Sequence, residues 1–181
     1  MSTAAALLTV EEFLLLPENP DVKRELIEGV VVEMSHAAVG HEIVKSNWDE
    51  VLILFVAENR IGKVFSETLF VLAPDTGCIP DVAFVLSENL QAQDRSKRYQ
   101  GAPTIAIEVV SSETAAQLES KIRNYLRWGS RAVWVAYPPD RMVRVCRPDG
   151  TSRWLEQDQF LEEPEVLPGF RVQVARIFEG L

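Results

Sequence analysis

Two carboxylates stand in places where carboxylates are costly. Glu108 interrupts the apolar run Ile105-Ala106-Ile107-Glu108-Val109-Val110, and Asp81 follows Pro80 and opens the run Val82-Ala83-Phe84-Val85. A carboxylate buried in such a run must be paired, protonated or bound to a metal. Each has a plainer reading when taken alone. Glu108 can be a strand-end residue reaching solvent or a lysine, and Asp81 a turn residue at the mouth of a strand. On strands that pair, the two can converge on one hard cation. Mg²⁺ takes oxygen ligands, commonly one or two carboxylates with water and a substrate phosphate. Such an ion orients water, polarises a phosphoryl oxygen and stabilises the leaving oxygen. Lys121 lies on the helix after the Glu108 strand, with Tyr125 one turn on and on the same face. An ammonium aimed at the carboxylates would hold an attacking water or offset charge on phosphate; a solvated helix lysine is the alternative.

The elements that must position these residues follow from hydrophobic periodicity and turn chemistry. Thr9-Val10-Glu11-Glu12 has capping-box spacing and starts a short helix that ends at Pro17. Glu25 to Glu28 and Val30 to Met34, joined at Gly29, predict a hairpin. Ile43, Val44, Trp48, Val51, Leu52 and Phe55 recur at helical spacing, which predicts a long helix from His41 to Asn59 closed by Gly62. Strands are expected at Val64 to Glu67, Leu69 to Leu72 and Asp81 to Leu86, with Pro74 to Gly77 as a turn. A polar stretch from Asn89 to Gln100 reads as loop with a short helix. Thr104 to Val110 reads as a buried strand, and Ser111 to Thr114 caps a second helix from Ala115 to Trp128 that Gly129 ends. Strands at Ala132 to Ala136, Met142 to Arg147, Ser152 to Leu155 and Phe170 to Val174 make a C-terminal meander, and Ala175 to Leu181 a short helix. The pattern predicts an α/β or α+β protein with a central mixed sheet flanked by helices.

Bulk properties narrow the function. The 181 residues fit one domain, 1–181, of ordinary globular composition, 47% hydrophobic and 25% charged. No apolar run approaches the ~20 residues that span a bilayer, and no basic residue precedes the apolar N-terminal stretch, so a cytoplasmic protein with no membrane partner is expected. Cys78 and Cys146 have neither zinc-site nor disulfide-framework spacing and read as small buried hydrophobes. The net charge of −9 opposes constitutive binding to bulk nucleic acid. It leaves room for a local basic face, and carboxylates at a metal site contribute to it. Trp128, Trp134 and Trp154 can serve an interface, although aromatics so spaced more often lie in the core.

Pro80-Asp81 followed by Ile107-Glu108-Val109 resembles the PD-(D/E)XK nuclease signature. In that signature a lysine stands two residues after the glutamate; here Val110 occupies the place. One branch supplies the lysine from the next helix instead, and Lys121 fits that displaced position. The branch is the Uma-type group of bacterial restriction endonucleases, which the chain resembles over almost its whole length. The resemblance rests on Glu25-Leu26-Ile27-Glu28-Gly29, His41, Pro80 to Val85, Gly101-Ala102-Pro103, Ile107 to Ser111, Lys121, Tyr125, Gly129 and Val133-Trp134-Val135. It implies a restriction-endonuclease-like fold and Mg²⁺- or Mn²⁺-dependent hydrolysis of nucleic acid, with DNA the expected substrate. Asp81, Glu108 and the Val109 backbone carbonyl would meet the metal, and Lys121 would be catalytic base or phosphate stabiliser. Glu25, His41 and Tyr125 would be accessory. Ser112 departs from the group, which usually has proline there, and the loop before the helix is slightly short. Cutting both strands implies a homodimer. A binding or regulatory module that retains the fold without strong activity is the competing expectation, favoured by Val110 and the negative charge.

Overall fold

The structure, a computed structural model, describes residues 7–17, 19, 22–35 and 38–181. The chain begins with α1 (Val10–Leu14), the hairpin β1 (Val22–Ile27) and β2 (Val30–Ser35), and the long helix α2 (Val39–Asn59). Next come β3 (Gly62–Ser66), β4 (Phe70–Ala73), β5 (Thr76–Cys78), β6 (Val82–Leu86), α3 (Ser87–Gln91) and β7 (Tyr99–Gln100). The remainder is β8 (Ile105–Val109), α4 (Ala115–Arg127), β9 (Ala132–Tyr137), β10 (Met142–Cys146), β11 (Ser152–Leu155), β12 (Phe160–Glu163), β13 (Leu167–Gln173) and α5 (Val174–Ile177). Both capping boxes form: Thr9 with Glu12, and Thr114 with Gln117.

A six-stranded sheet in the order β11-β10-β9-β8-β6-β3 is the centre of the molecule. It is mixed: β8 and β9 run parallel, with α4 as their crossover, and every other neighbouring pair is antiparallel. Both faces of its central strands are buried, which is why their sequences read as continuous apolar runs. Ile105, Ile107 and Val109 of β8 pack with Trp48 of α2, Ile177 of α5 and Phe170 of β13. Ala106, one residue out of phase, packs with Ile122 and Tyr125 of α4 and with Phe70 and Cys78. Glu108 has the parity of Ala106 and therefore points to the α4 side. Trp134 lies between Trp48 and Phe170 at ring-centroid separations of 5.4 and 5.8 Å. It is a core residue; Trp128 and Trp154 are exposed.

The hairpin is not an appendage of the central sheet. It belongs to a second sheet, β2-β1-β5-β4-β7, which with α4 covers the other face. The link is β5, read from sequence as turn, whose Gly77 lies opposite Leu26. Three residues are too few to show alternation. The polar-tipped ribbon β12–β13 is likewise longer than the sequence signals, because Glu163 is buried against Arg147 at 2.9 Å instead of facing water.

Gly62 also differs from its reading as a helix stop. Arg60, left-handed at φ 55°, ends α2, and Gly62 is the first residue of β3. A Cβ there would lie 2.2 Å from the Val85 carbonyl oxygen and 2.6 Å from the Phe84 ring. The glycine is required by the approach of two paired strands. Gly62→Ala is expected to lower stability by about 3 kcal/mol, read as a shift of the urea midpoint at unchanged m-value.

Candidate active site

Six residues predicted from sequence are brought together around Asp81 and Glu108, where β6 and β8 pair. Asp81 sits just before β6, at the end where Val82 pairs with Ile107 of β8. Glu108 is one residue further along β8. Lys121 and Tyr125 project from α4, one helical turn apart, onto Glu108. Glu25 comes from β1, and His41 from the first turn of α2. Each of the six is buried.

Two groups of contacts are distinguishable. In the first, Asp81 Oδ2 accepts the Val109 N–H at 2.8 Å and lies 3.2 Å from His41 Nε2, while Oδ1 lies 3.5 Å from Lys23 Nζ. In the second, Lys121 Nζ donates to Glu108 Oε2 at 2.8 Å, and the Tyr125 hydroxyl donates to Glu108 Oε1 at 2.8 Å. Lys121 also lies 3.1 Å from Glu25 Oε2. Glu25 Oε1 accepts the Ile79 N–H, whereas its buried Oε2 receives no well-directed hydrogen bond. Asp81, Glu108, Lys121, His41, Lys23 and Val109 line one small cavity of about 100 Å³.

The charges set one another. Burial alone would raise the Asp81 carboxyl, but the His41 hydrogen bond and the Lys23 and Lys121 charges outweigh it and hold the group at about 2. Burial dominates at Glu108 and lifts it to about 7, with Asp81 and Glu25 adding repulsion that Lys121 only partly offsets. Burial disfavours the Lys121 ammonium, yet Glu108, Glu25 and Asp81 together drive its pKa well above the ordinary value. Burial and Glu108 push the Tyr125 phenol well up, so it remains a donor. His41 is raised overall: burial pulls it down, and the hydrogen bond and charge of Asp81, then those of Glu42, more than reverse that.

Lys23 escaped the sequence reading. It is two residues before Glu25 on β1, hence on the same strand face, and is about a quarter exposed at the cavity rim. That alternation was visible, but an isolated lysine near a chain terminus carries no signal without a known partner.

The donor set suits a hard cation. Asp81 and Glu108 reach one cavity from neighbouring strands, and Glu25 Oε2 is a buried oxygen lacking a directed donor. Three carboxylates here face two ammonium groups. Among the described residues no three His, Cys, Asp or Glu side chains converge as a ready-made cluster.

A mixed sheet with a parallel β8–α4–β9 unit, carrying buried carboxylates and a helix-borne lysine, defines a nuclease-like α+β protein. The family comparison makes this specific: residues 10–175 match the Uma-type family model described as "Putative restriction endonuclease", and the chain belongs to that family. A crystal structure of a "putative nuclease" from Anabaena variabilis superposes with a TM-score of 0.84, over 94% of this chain and 97% of that one, at 22% identity. At that identity the likeness shows the fold. Comparison with curated proteins finds no match. Among the described residues no helix is long and apolar enough to cross a membrane.

Proposed function

We propose that the protein is a metal-dependent endonuclease of the PD-(D/E)XK kind that hydrolyses phosphodiester bonds in DNA. The observation that carries this reading is the shared cavity of Asp81, Glu108 and Lys121, assembled from two strands and a helix. Asp81 and Glu108 are the side chains that would hold Mg²⁺ or Mn²⁺, with the Val109 carbonyl as backbone ligand. When bound, the ion supplies Lewis acidity toward the phosphoryl oxygen and a more acidic water. The protein's own groups do the positioning. His41 and the Val109 N–H orient Asp81, and Tyr125 and Lys121 orient Glu108. Lys121 takes the place that Val110 leaves vacant in the signature. Glu108, Glu25 and Asp81 favour its charged form, which suits it to stabilise charge on the phosphate and to hold the attacking water. Lys23, at the rim, meets the incoming phosphate first.

One observation favours a second reading, a binding module without strong activity. Lys121 is already paired with both Glu108 and Glu25, so its ammonium is engaged within the cluster without any metal. Calorimetric titration with Mn²⁺ separates the two. Saturable binding near one equivalent supports the nuclease, and no heat at millimolar metal supports the module. The direct test is nicking of supercoiled plasmid and of labelled duplex and single-stranded oligonucleotides in Mg²⁺, Mn²⁺ or EDTA. Cleavage that requires the metal is the expected result; its absence on every substrate with both metals overturns the proposal.

A further inference from the structure

A second concavity lies beside β3, the edge strand of the central sheet. It is a groove of about 570 Å³ between β3, the β3–β4 connection and the segment joining α3 to β7. Phe65, Leu69, Leu90 and Tyr99 supply its apolar surface, and Lys63, Arg95, Lys97 and Arg98 its charge. The one acidic residue lining it, Asp94, lies 3.7 Å from Lys97. Lys63, Arg95 and Arg98 are exposed and make no ion pair among the described residues. Other cations of the chain, such as Arg24, Lys45, Arg144, Arg147, Arg171 and Arg176, are engaged by carboxylates, and those without an ion pair among the described residues, such as Arg60, Arg141 and Arg153, do not line this groove. Three cations with no ion pair among the described residues, concentrated on one apolar groove, give a local positive field that an anionic partner would satisfy. The groove and the cavity are lined by consecutive residues of the β3–β4 connection. Glu67 lines the cavity and Thr68, the next residue, lines the groove.

We propose that this groove holds a single strand of nucleic acid that leads into the carboxylate cavity. Its phosphates lie against Lys63, Arg95 and Arg98, and an unpaired base lies on Tyr99 and Phe65. Positive charge along the backbone path with aromatic surface for bases is the recurrent chemistry of single-strand binding. A wholly polar basic patch would serve duplex phosphates equally well; the apolar surface selects a strand with exposed bases. The inference rests on the nuclease reading above, and it names the form of substrate that the site takes.

The test is fluorescence anisotropy of a labelled 12-nucleotide single strand, in DNA and RNA versions, in EDTA so that binding is read without cleavage. The R95E/R98E variant is expected to lose at least about tenfold in affinity, with a log–log salt slope shallower by about 1.4 for two lost phosphate contacts. Tyr99→Leu is expected to lose about fivefold or more through the base contact. The control R141E/R153E makes the same charge change on the β9–β10 turn and on β11, at the other edge of the central sheet, and is expected to bind as wild type. Equal loss in that control, unchanged binding by R95E/R98E, or tighter binding of a blunt duplex than of the single strand overturns the groove. Thermal melts of all variants confirm that they are folded. Hydrolysis of bis(4-nitrophenyl) phosphate by the wild type, which is too small to need the groove, reports on the nuclease reading separately. Hydrolysis with no groove effect refutes the groove alone, and a groove effect without hydrolysis refutes the nuclease alone.

Discussion

Lys121→Met lowers the stability of the protein by about 3–5 kcal/mol at neutral pH, the range expected when one partner of a buried ion pair is removed. The side chain is only 6% exposed, and Glu25 and Glu108, its two partners, are 0% and 2% exposed. Methionine preserves much of the packing, so the loss is electrostatic: two carboxylates remain in a low-dielectric pocket with Asp81 close by. The pH dependence has a definite sign. Glu108 is raised in the folded state from 4.5 to about 7 even with Lys121 present. A carboxyl so raised contributes stability that is complete below pH 4.5 and is lost as pH rises through about 7. Without the ammonium the rise is larger, so the variant's deficit is smaller at pH 5.5 than at pH 8. Urea unfolding at both pH values measures this. In a Glu108→Gln background Lys121→Met should cost less than half as much, because one of the two stranded charges is gone. An equal cost in both backgrounds would show that the ion pair contributes nothing.

If the protein is the metal-dependent nuclease proposed above, Glu108→Gln and Asp81→Asn are each expected to reduce cleavage by about 10³-fold, the effect of losing several kcal/mol of metal-derived stabilisation. The two should differ in other respects. Asp81→Asn keeps an oxygen for the Val109 N–H but removes the charge facing Lys23 and His41, so it weakens Mn²⁺ binding while the fold survives. Glu108→Gln keeps the Tyr125 contact and leaves Lys121 with Glu25. His41→Ala acts through Asp81 and is expected to cost about 10–100-fold, with reduced metal affinity. Calorimetry on each variant beside the cleavage assay separates lost metal binding from lost turnover. Full activity in Asp81→Asn would remove Asp81 from the site.

The parts of this site were legible to very different degrees. Glu108 stood out because a charge within an apolar strand is anomalous in itself; Asp81, at the mouth of its strand, gained weight only beside Glu108 and through the family resemblance. The capping box at Thr114 fixed the start of α4, and with it the turn on which Lys121 and Tyr125 share a face. What brings Lys121 to Glu108 is the crossover from β8 through α4 to β9, a local βαβ unit that the sequence order alone implies. Glu25 was reached only by family resemblance. Its position depends on β1 pairing with β5, a contact spanning some fifty residues through a strand too short to signal itself. Lys23 shares that dependence and was missed. Gly62 was misread because a glycine after a helix has two uses, as a stop or as a close approach. Only the strand behind it shows which.

Glu25 holds the Ile79 N–H with one oxygen and faces Lys121 with the other, and so fastens the second sheet to α4 at the heart of the charge cluster. This has an evolutionary consequence. Any single member lost strands a buried partner and threatens the fold, while exchange of the whole set for well-packed apolar residues can be neutral or stabilising. Mutation proceeds one position at a time, so the neutral route is closed by its own first step. A descendant under no selection for activity at this site would keep Glu25, Glu108 and Lys121 because it must still fold. In this chain, then, the presence of the charged set reflects the demands of architecture as much as those of chemistry.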